Sequence, residues 1–389
     1  MTCGGLCDAL GLRKPVVLGS SFGGNVALTH AALFPDDPGA CCGGYDARMA
    51  SEVPPSRQMT ELLSGFQVSQ ALYVAAKLDL ATLMEEGPRS VEDLAAASGA
   101  QAEPLGRLLR SLSSLGVFTM VEPGSFVLTP LGATLASGRP DSLRDLALTY
   151  MEAHYGPFSN LLETLTTGKP AAEIYFGQPG FEWLAAHPEQ QACFTRAMAN
   201  LTNSVRMGAL SAYKLPAGDL VADIGGADGS LLAVLLASEP ARRGIVFDLP
   251  HVVPAASQLL AGRGLADRID VVAGNFFDAV PSADIYVMSA ILHDWDDAAA
   301  ARLLTNMAAA GQPGARLVTL ELVVPEGDQP HVAKMVDLNM LVMGTGKERT
   351  AKEFEALFAS AGFRLDRIVE TPTPFSFLEA TLTGAGPTD

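Results

Sequence analysis

Five short apolar runs, Leu220–Ile224, Gly244–Asp248, Ile269–Ala273, Asp284–Ser289 and Arg316–Val324, are separated by stretches of helical spacing. The intervening helices are expected over Ser230–Ser238, Val253–Gly262 and Asp297–Ala310. Strands that alternate with helices in this way predict an open parallel sheet with helices on both faces. Such a sheet takes its ligands outside the carboxyl ends of the central strands.

The first run ends in Asp223-Ile224-Gly225-Gly226-Ala227-Asp228-Gly229-Ser230. A glycine-rich turn lets a ligand approach the backbone closely. The nicotinamide fingerprint G-x-G-x-x-G fails here, because Ala227 and Ser230 occupy two required places. No Walker lysine follows, which argues against nucleoside triphosphates. The acidic-x-G-x-G-x-G turn of S-adenosylmethionine sites fits better. Asp223, Gly225 and Gly229 match it, and Ala227 replaces the middle glycine. Asp248 ends the next strand 19 residues after Gly229, where an acid that holds ribose hydroxyls is expected. A purely structural turn would use the same glycines, so later segments have to decide.

The chain has 389 residues, enough for two or three domains. With 48% apolar and 18% charged residues it can bury a full core. Its net charge of −17 makes nucleic acid and anionic membrane poor partners. Five cysteines form neither a disulfide framework nor a zinc-ligand pattern, and a reduced, cytoplasmic setting is expected. The uncharged stretch from Pro15 to Pro35 is too broken by Gly and Ser for a signal peptide, and no segment reads as membrane-spanning.

Pro54-Pro55 reads as a linker into a helical block. Leu72, Ala75, Ala76, Leu78 and Leu83 form one apolar stripe. Ser90-Val91-Glu92-Asp93 starts a further helix. Leu105, Leu108, Leu109, Leu112 and Leu115 mark another, stopped by Gly116. Val117–Val121 and Phe126–Thr129 flank Glu122-Pro123-Gly124-Ser125 as a hairpin. Helix, helix, hairpin is a winged-helix pattern. Between Ser90 and Pro130, however, Arg107 and Arg110 face Glu92, Asp93, Glu103 and Glu122, for a net charge of −2. A DNA-reading helix needs a positive face, so packing or dimerisation is the better reading.

Further motifs follow in order: Phe247-Asp248-Leu249-Pro250-His251-Val252, Gly274-Asn275-Phe276-Phe277-Asp278, Ile291-Leu292-His293-Asp294-Trp295 and Gly346-Lys347-Glu348-Arg349-Thr350. Together they resemble the S-adenosylmethionine-dependent O-methyltransferases of the plant caffeic-acid and bacterial polyketide type, over about residues 54–383. The resemblance implies an α/β, Rossmann-like methyltransferase domain over 150–389, preceded by a winged-helix-like dimerisation domain over 51–149. It implies that Gly225 and its neighbours cradle the methionine part of the cofactor, that Asp248 and Leu249 lie at the ribose, and that Asn275 and Phe276 contact adenine. Asn stands at 275 where Asp is commoner in the family, and Ser289 stands where many relatives carry Lys. Met198, in Phe194-Thr195-Arg196-Ala197-Met198, together with Asp294 and Met340, is implied at the acceptor pocket.

Methyl transfer from a sulfonium is a displacement at carbon and needs an electron-rich, in-line nucleophile. A phenol, with pKa about 10, is mostly protonated at neutral pH. A base near pKa 6.5 can take its proton in the transition state, which is worth about 10² to 10⁴ in rate. Histidine is the suitable side chain, and it needs a partner to fix its tautomer. His293 follows the fourth strand, at the ligand-binding rim. In the family this histidine is the base and two glutamates, here Glu321 and Glu348, flank and orient it. Asp294, Asp296 and Asp297 invite a metal reading, but Asp296 and Asp297 more simply cap the next helix. No metal is expected.

Gly19-Ser20-Ser21-Phe22-Gly23 matches G-x-S-x-G between a strand and a helix. The segment over about 10–40 resembles the nucleophile elbow of α/β-hydrolases, with Ser21 as the rival nucleophile. Only about 45 residues look hydrolase-like, far below a domain, and no acid or base follows on the same sheet. Residues 1–50 are therefore read as a short strand-turn-helix extension, a remnant or the product of an upstream start codon.

The expected activity is methyl transfer from S-adenosylmethionine to a hydroxyl of a small, expectedly aromatic, secondary metabolite, in a homodimer that binds no nucleic acid. Two rivals stand: a same-fold enzyme with hydroxylase-like chemistry, and a non-enzymatic winged-helix regulator that senses a ligand.

Overall fold

The computed structural model describes residues 54–201, 205–210 and 213–383. The extension over 1–50, with its elbow and Ser21, lies outside them. The chain divides into two compact units. The first runs to Glu152 and takes in Ala192–Leu201; the second comprises Ala153–Gln191 and the chain from Thr202 onward.

In the first unit, α1 (Pro55–Leu63) and α2 (Gly65–Lys77) precede α3 (Val91–Ser98) and α4 (Ala102–Ser113). β1 (Arg89–Ser90), β2 (Phe118–Glu122) and β3 (Ser125–Leu128) form a small sheet in the order β1-β3-β2. Ser90 caps α3, its hydroxyl accepting the Asp93 N–H at 3.0 Å. The first turn of α3 carries Glu92 and Asp93, which favour the helix dipole. Leu105, Leu109 and Leu112 of α4 are buried at helical spacing against Leu94, Phe118 and Phe126. That helix ends at Ser113, so Leu115 and Gly116 belong to the turn after it rather than to the helix. Gly116 has φ +76°, the left-handed conformation that suits a glycine at such a stop. Helix α1 buries none of its residues.

In the second unit the expected strands appear as β4 (Leu220–Ile224), β5 (Arg243–Asp248), β6 (Ile269–Ala273), β7 (Ile285–Ser289) and β8 (Arg316–Val324). β9 (Arg349–Thr350), β10 (Phe363–Glu370) and β11 (Phe375–Leu382) follow. The strand order is β10-β11-β8-β7-β4-β5-β6, with β9 paired to β8. β4 through β8 pair in parallel, while β11 lies antiparallel to β8 and β10. From β4 the chain moves outward through β5 and β6, then returns to place β7 on the other side of β4. That reversal opens a crevice at the carboxyl ends of β4 and β7.

Alternate residues of each strand face opposite cores, as the two-residue period of a strand requires. Ala222, Ile224, Tyr286 and Met288 pack with α8 (Asp297–Ala310) and α10 (Ala351–Ser360) through Leu303, Leu304, Phe354 and Phe358. Val221, Val246, Ile285 and Val287 pack with α6 (Ser230–Leu235) and α7 (Val253–Gly262) through Leu231, Leu232, Leu235 and Leu260. Helix α6 stops three residues short of the expected Ser238, just before Glu239-Pro240. α9 (Val332–Met343) lies between β8 and β9 in the chain.

Helix α10 starts directly after the Lys347–Arg349 loop with a full capping box. The Thr350 hydroxyl accepts the Glu353 N–H, and the Glu353 carboxylate accepts the Thr350 N–H at 2.8 Å. Replacing an N-cap threonine by alanine typically costs about 1 kcal/mol. Thr350→Ala should therefore lower the urea midpoint while leaving the slope of the transition unchanged. An unmoved midpoint would mean the box contributes nothing.

Candidate active site

The turn after β4 is shaped by contacts that only small residues permit. Gly225 and Gly229 both have φ +73°, and Ala227 adopts φ +47°. A Cβ on Gly226 would lie 2.9 Å from the Asp223 carboxyl carbon. The N–H of Gly225 donates to the Phe247 carbonyl at 2.9 Å, tying the turn to the end of β5. At that end, Asp248 accepts the Ala227 N–H at 2.9 Å with one oxygen and the Leu249 N–H at 2.7 Å with the other. The acid thus fixes both the β4 turn and its own loop.

Asp223 is buried, and its Oδ2 has no hydrogen-bond partner. Burial, reinforced by the charges of Asp248 and Asp228, pushes its carboxyl up to about 8. Ser289, at the carboxyl end of β7, likewise buries an unpartnered hydroxyl. Asn275 turns its side-chain oxygen onto the Phe277 N–H at 2.9 Å. Phe276 and Phe277 pack edge-on against each other and against Trp295, with centroids 4.6–6.0 Å apart. Leu249 is exposed at the rim.

The second cluster follows β7. Ala290, at φ +51°, turns the chain out of the strand while its N–H still reaches the Leu320 carbonyl of β8 at 3.0 Å. A short 3-10 turn, Leu292–Asp294, then presents His293. The imidazole Nδ1 lies 2.7 Å from Oε1 of Glu348, and Nε2 lies 3.5 Å from Asp294. The His293 side chain keeps 16% of its surface exposed, whereas that of Glu348 keeps none.

Glu321 lies beside His293, and it hydrogen-bonds the backbone of the turn. Its Oε1 accepts the N–H groups of Ile291 at 3.2 Å and Leu292 at 3.0 Å, and the Thr319 hydroxyl at 3.2 Å. It therefore holds the backbone of the turn, and among the described residues Glu348 makes the hydrogen bond to the ring. One donor atom from each of His293, Glu321 and Glu348 falls within 4.8 Å of the others.

Electrostatics follow from the burial. Removal from water pulls the imidazolium of His293 down. Asp294, the hydrogen bond from Glu348, and Glu321 outweigh that and hold it up at about 9. The fold therefore gains stability from this proton that is complete below about 6.5 and fades as the pH climbs through about 9. Burial raises the carboxyls of Glu321 and Asp294, opposed in both cases by the charge of His293. Arg206 adds a cation facing Asp294, Glu321 and Glu348, with its guanidinium 5.1 Å from the Phe375 ring centre.

Several residues here escaped the sequence reading. Asp337 of α9 accepts the Glu348 N–H at 2.9 Å. Arg349, whose motif was noted only for its glutamate, is wholly buried beside the His293 turn. A Cβ on Gly346 would meet the His293 carbonyl oxygen at 2.1 Å, so the loop presses on the turn as closely as glycine allows. Arg206 had no motif to announce it. Of the residues the resemblance implied at an acceptor pocket, Asp294 and Met340 lie in the second unit, Met340 half-buried on α9. Met198 lies in the first unit, on the helix Pro188–Leu201.

The β4 turn fits S-adenosylmethionine. It offers a close-approach glycine backbone, an acid on the neighbouring strand end, and two buried polar atoms, Asp223 Oδ2 and Ser289 Oγ, without protein partners. The acids Asp228, Asp248 and Asp294 suit a ligand that carries positive charge.

Comparison with known proteins agrees. Residues 158–364 match the O-methyltransferase domain family, and residues 60–138 match the O-methyltransferase dimerisation domain family. The phenazine O-methyltransferase PhzM of Lysobacter antibioticus is 44% identical over 332 residues, covering 85% of this chain and 97% of that protein. The crystal structure of LaPhzM superposes with a TM-score of 0.80 at 44% identity, over 85% of this chain and 100% of that one. CalO1, a methyltransferase of calicheamicin biosynthesis solved with S-adenosylhomocysteine bound, gives 0.76 at 33% identity, over 84% of this chain and 97% of that one. With both of its family domains present, the chain belongs to the S-adenosylmethionine-dependent O-methyltransferases of secondary metabolism.

Proposed function

We propose that this enzyme methylates a hydroxyl of a small aromatic secondary metabolite, with His293 as general base. The observation that carries the reading is the 2.7 Å contact between His293 Nδ1 and Glu348, at the rim beside the crevice. Bound S-adenosylmethionine supplies a methyl group on a sulfonium, which is electrophilic and leaves a neutral thioether behind. The carboxylate of Glu348 takes the Nδ1 proton in a hydrogen bond and fixes the tautomer in which Nε2 is the acceptor. Nε2 then removes the hydroxyl proton as the oxygen becomes nucleophilic. The imidazolium so formed is stabilised by Glu348 and Asp294. Glu321 keeps the turn in place through its backbone N–H groups.

Homodimer formation belongs to the same proposal. Met59, Leu62, Leu63 and Phe66 stand exposed on α1 and at the start of α2, within or beside the segment that matches the dimerisation domain. A second copy of the chain is the occupant we assign to them. Replacing Leu62 and Leu63 together by lysine should leave the circular dichroism spectrum unchanged and shift the sedimenting species to monomer. Dimers that persist at the same concentration would remove these residues from the interface.

Asp248→Ala should weaken S-adenosylhomocysteine binding by about 1.5–3 kcal/mol, the range for a hydrogen bond to a charged group. Calorimetry that gives the wild-type affinity would exclude Asp248 from the cofactor site. His293→Ala should keep that affinity and lose about 10²–10⁴ in turnover of a phenolic acceptor. Full turnover by this variant would assign His293 a purely structural part.

The rate must also rise with pH, because a base that is already protonated cannot accept a proton. In the ligand-free protein His293 holds its proton up to about 9. The acid limb of kcat/KM for the acceptor is thus expected above the ordinary histidine value. Glu348→Gln removes a charge that favours the imidazolium, so it should move that limb to lower pH while lowering kcat. A limb that stays put would show that the His293–Glu348 pair does not govern proton removal. The three clustered donor atoms could also gather a divalent cation; turnover that survives a chelator unchanged is expected, and its loss would favour a metal instead.

A further inference from the structure

Arg349 is an unusual residue to find in a core. It is 0% exposed, and among the described residues its charge is answered by one carboxylate, Asp297, whose side chain is 61% exposed. Its two terminal nitrogens also donate to backbone carbonyls. Nη1 donates to the Leu292 carbonyl at 2.8 Å, Nη2 to the Trp295 carbonyl at 2.8 Å, and Nε to Asp297 Oδ1 at 3.0 Å. Leu292 and Trp295 bracket His293 and Asp294. The next residue back along the chain from Arg349 is Glu348, which holds the imidazole. One rigid, planar guanidinium therefore spans the turn that carries the base and the loop that carries its partner.

We propose that Arg349 is a positioning residue that fixes the His293 turn against Glu348, so that the imidazole–carboxylate contact is set by the backbone clamp and not by the two side chains alone. This rests on the reading of His293 as the base.

Three features favour positioning over plain packing. First, an apolar side chain would fill the same volume without the cost of burying a cation. Second, Lys347 already pairs with Asp297 at 2.8 Å from the solvent side, so Arg349 is not needed to neutralise that acid. Third, Gly346 is pressed onto the carbonyl of His293 from the same loop. The turn is thus pulled by Arg349 at both flanks and stopped by Gly346 in the middle. From the opposite side, Glu321 binds the N–H groups of Ile291 and Leu292. A displacement of about 1 Å at a reacting group can cost about a hundredfold in rate, which gives such a clamp a function.

The test reads the imidazole directly. Histidines are labelled with nitrogen-15, and the His293 signal is assigned by its loss in His293→Gln. Its titration is followed in wild type and in Arg349→Lys. Lysine keeps a positive charge but cannot reach both carbonyls and Asp297 at once. The groups that face His293 are Asp294 on its own turn, Glu321 on β8, Glu348 in the loop before β9, and Arg206 beside all three acids. All of them are untouched by the substitution. With the clamp loosened, the contact with Glu348 lengthens and the His293 titration should fall by about one pH unit or more. S-adenosylhomocysteine affinity and the melting temperature serve as controls for the fold. An unmoved titration in folded Arg349→Lys would overturn the proposal. Should that variant not fold, Gly346→Ala decides. It leaves Arg349 in place and displaces the turn from the loop side, and an unmoved His293 titration there would equally overturn it. The turnover of His293→Ala is a separate measurement, so a failed clamp and a failed assignment of the base give different results.

Discussion

Glu321 and Glu348 are held almost out of water on one side of the sheet, and a buried carboxylate persists only where something answers its charge. Each finds a different answer in the same five residues. Glu321 is met by two backbone N–H groups of the 291–295 turn, and Glu348 by the imidazole that this turn projects. The shape of the turn is thus dictated from below by acids and from the side by Arg349. Removing one partner from a buried ion pair typically costs about 3–5 kcal/mol. A turn held by one such pair and by two backbone hydrogen bonds to Glu321 has little freedom to swing His293 away from the rim, even though it is only a short loop by secondary structure.

The same logic explains what could be read from the sequence. The strands were legible because β4, β7 and β8 are buried on both faces and so appear as mainly apolar runs, broken only by such residues as Asp223, Thr319 and Glu321. The glycines and Asp248 were legible because their conformations and contacts exclude most other residues. His293, Glu348 and Glu321 were legible as a set, through resemblance. The task of Glu321 was not, since nothing in a sequence tells whether a carboxylate meets a ring or the backbone two residues before it. Arg349 was hidden for a related reason. An arginine next to a glutamate in a loop reads as solvated charge, and only the pairing of β9 with β8 draws it into the core. β10 and β11 were not drawn as strands. On β10, the outer strand, the exposed charges of Arg364, Asp366 and Arg367 interrupt the apolar pattern, and on β11 the buried Glu379 does.

Backbone strain completes the account of the crevice. Ala227 and Ala290 are two non-glycine residues with positive φ in the second unit; Ala290 directly follows β7, and Ala227 lies in the turn three residues past the end of β4. A left-handed alanine costs roughly 1–2 kcal/mol. Such residues survive where their surroundings over-determine them, and they gather at functional sites. Here the surroundings can be named. The N–H of Ala227 is taken by Asp248 and that of Ala290 by the carbonyl of Leu320. At 227 the family turn carries glycine, and alanine in its place keeps the conformation but narrows the alternatives open to the loop. A glycine there would relieve the left-handed strain, yet it would also give the unfolded chain more freedom to lose. At a left-handed position the strain is the larger of the two effects, so glycine at 227 would be the more stable residue. What holds the turn in this conformation with alanine in place is therefore its contacts, the Ala227 N–H on Asp248 and the Gly225 N–H on the Phe247 carbonyl.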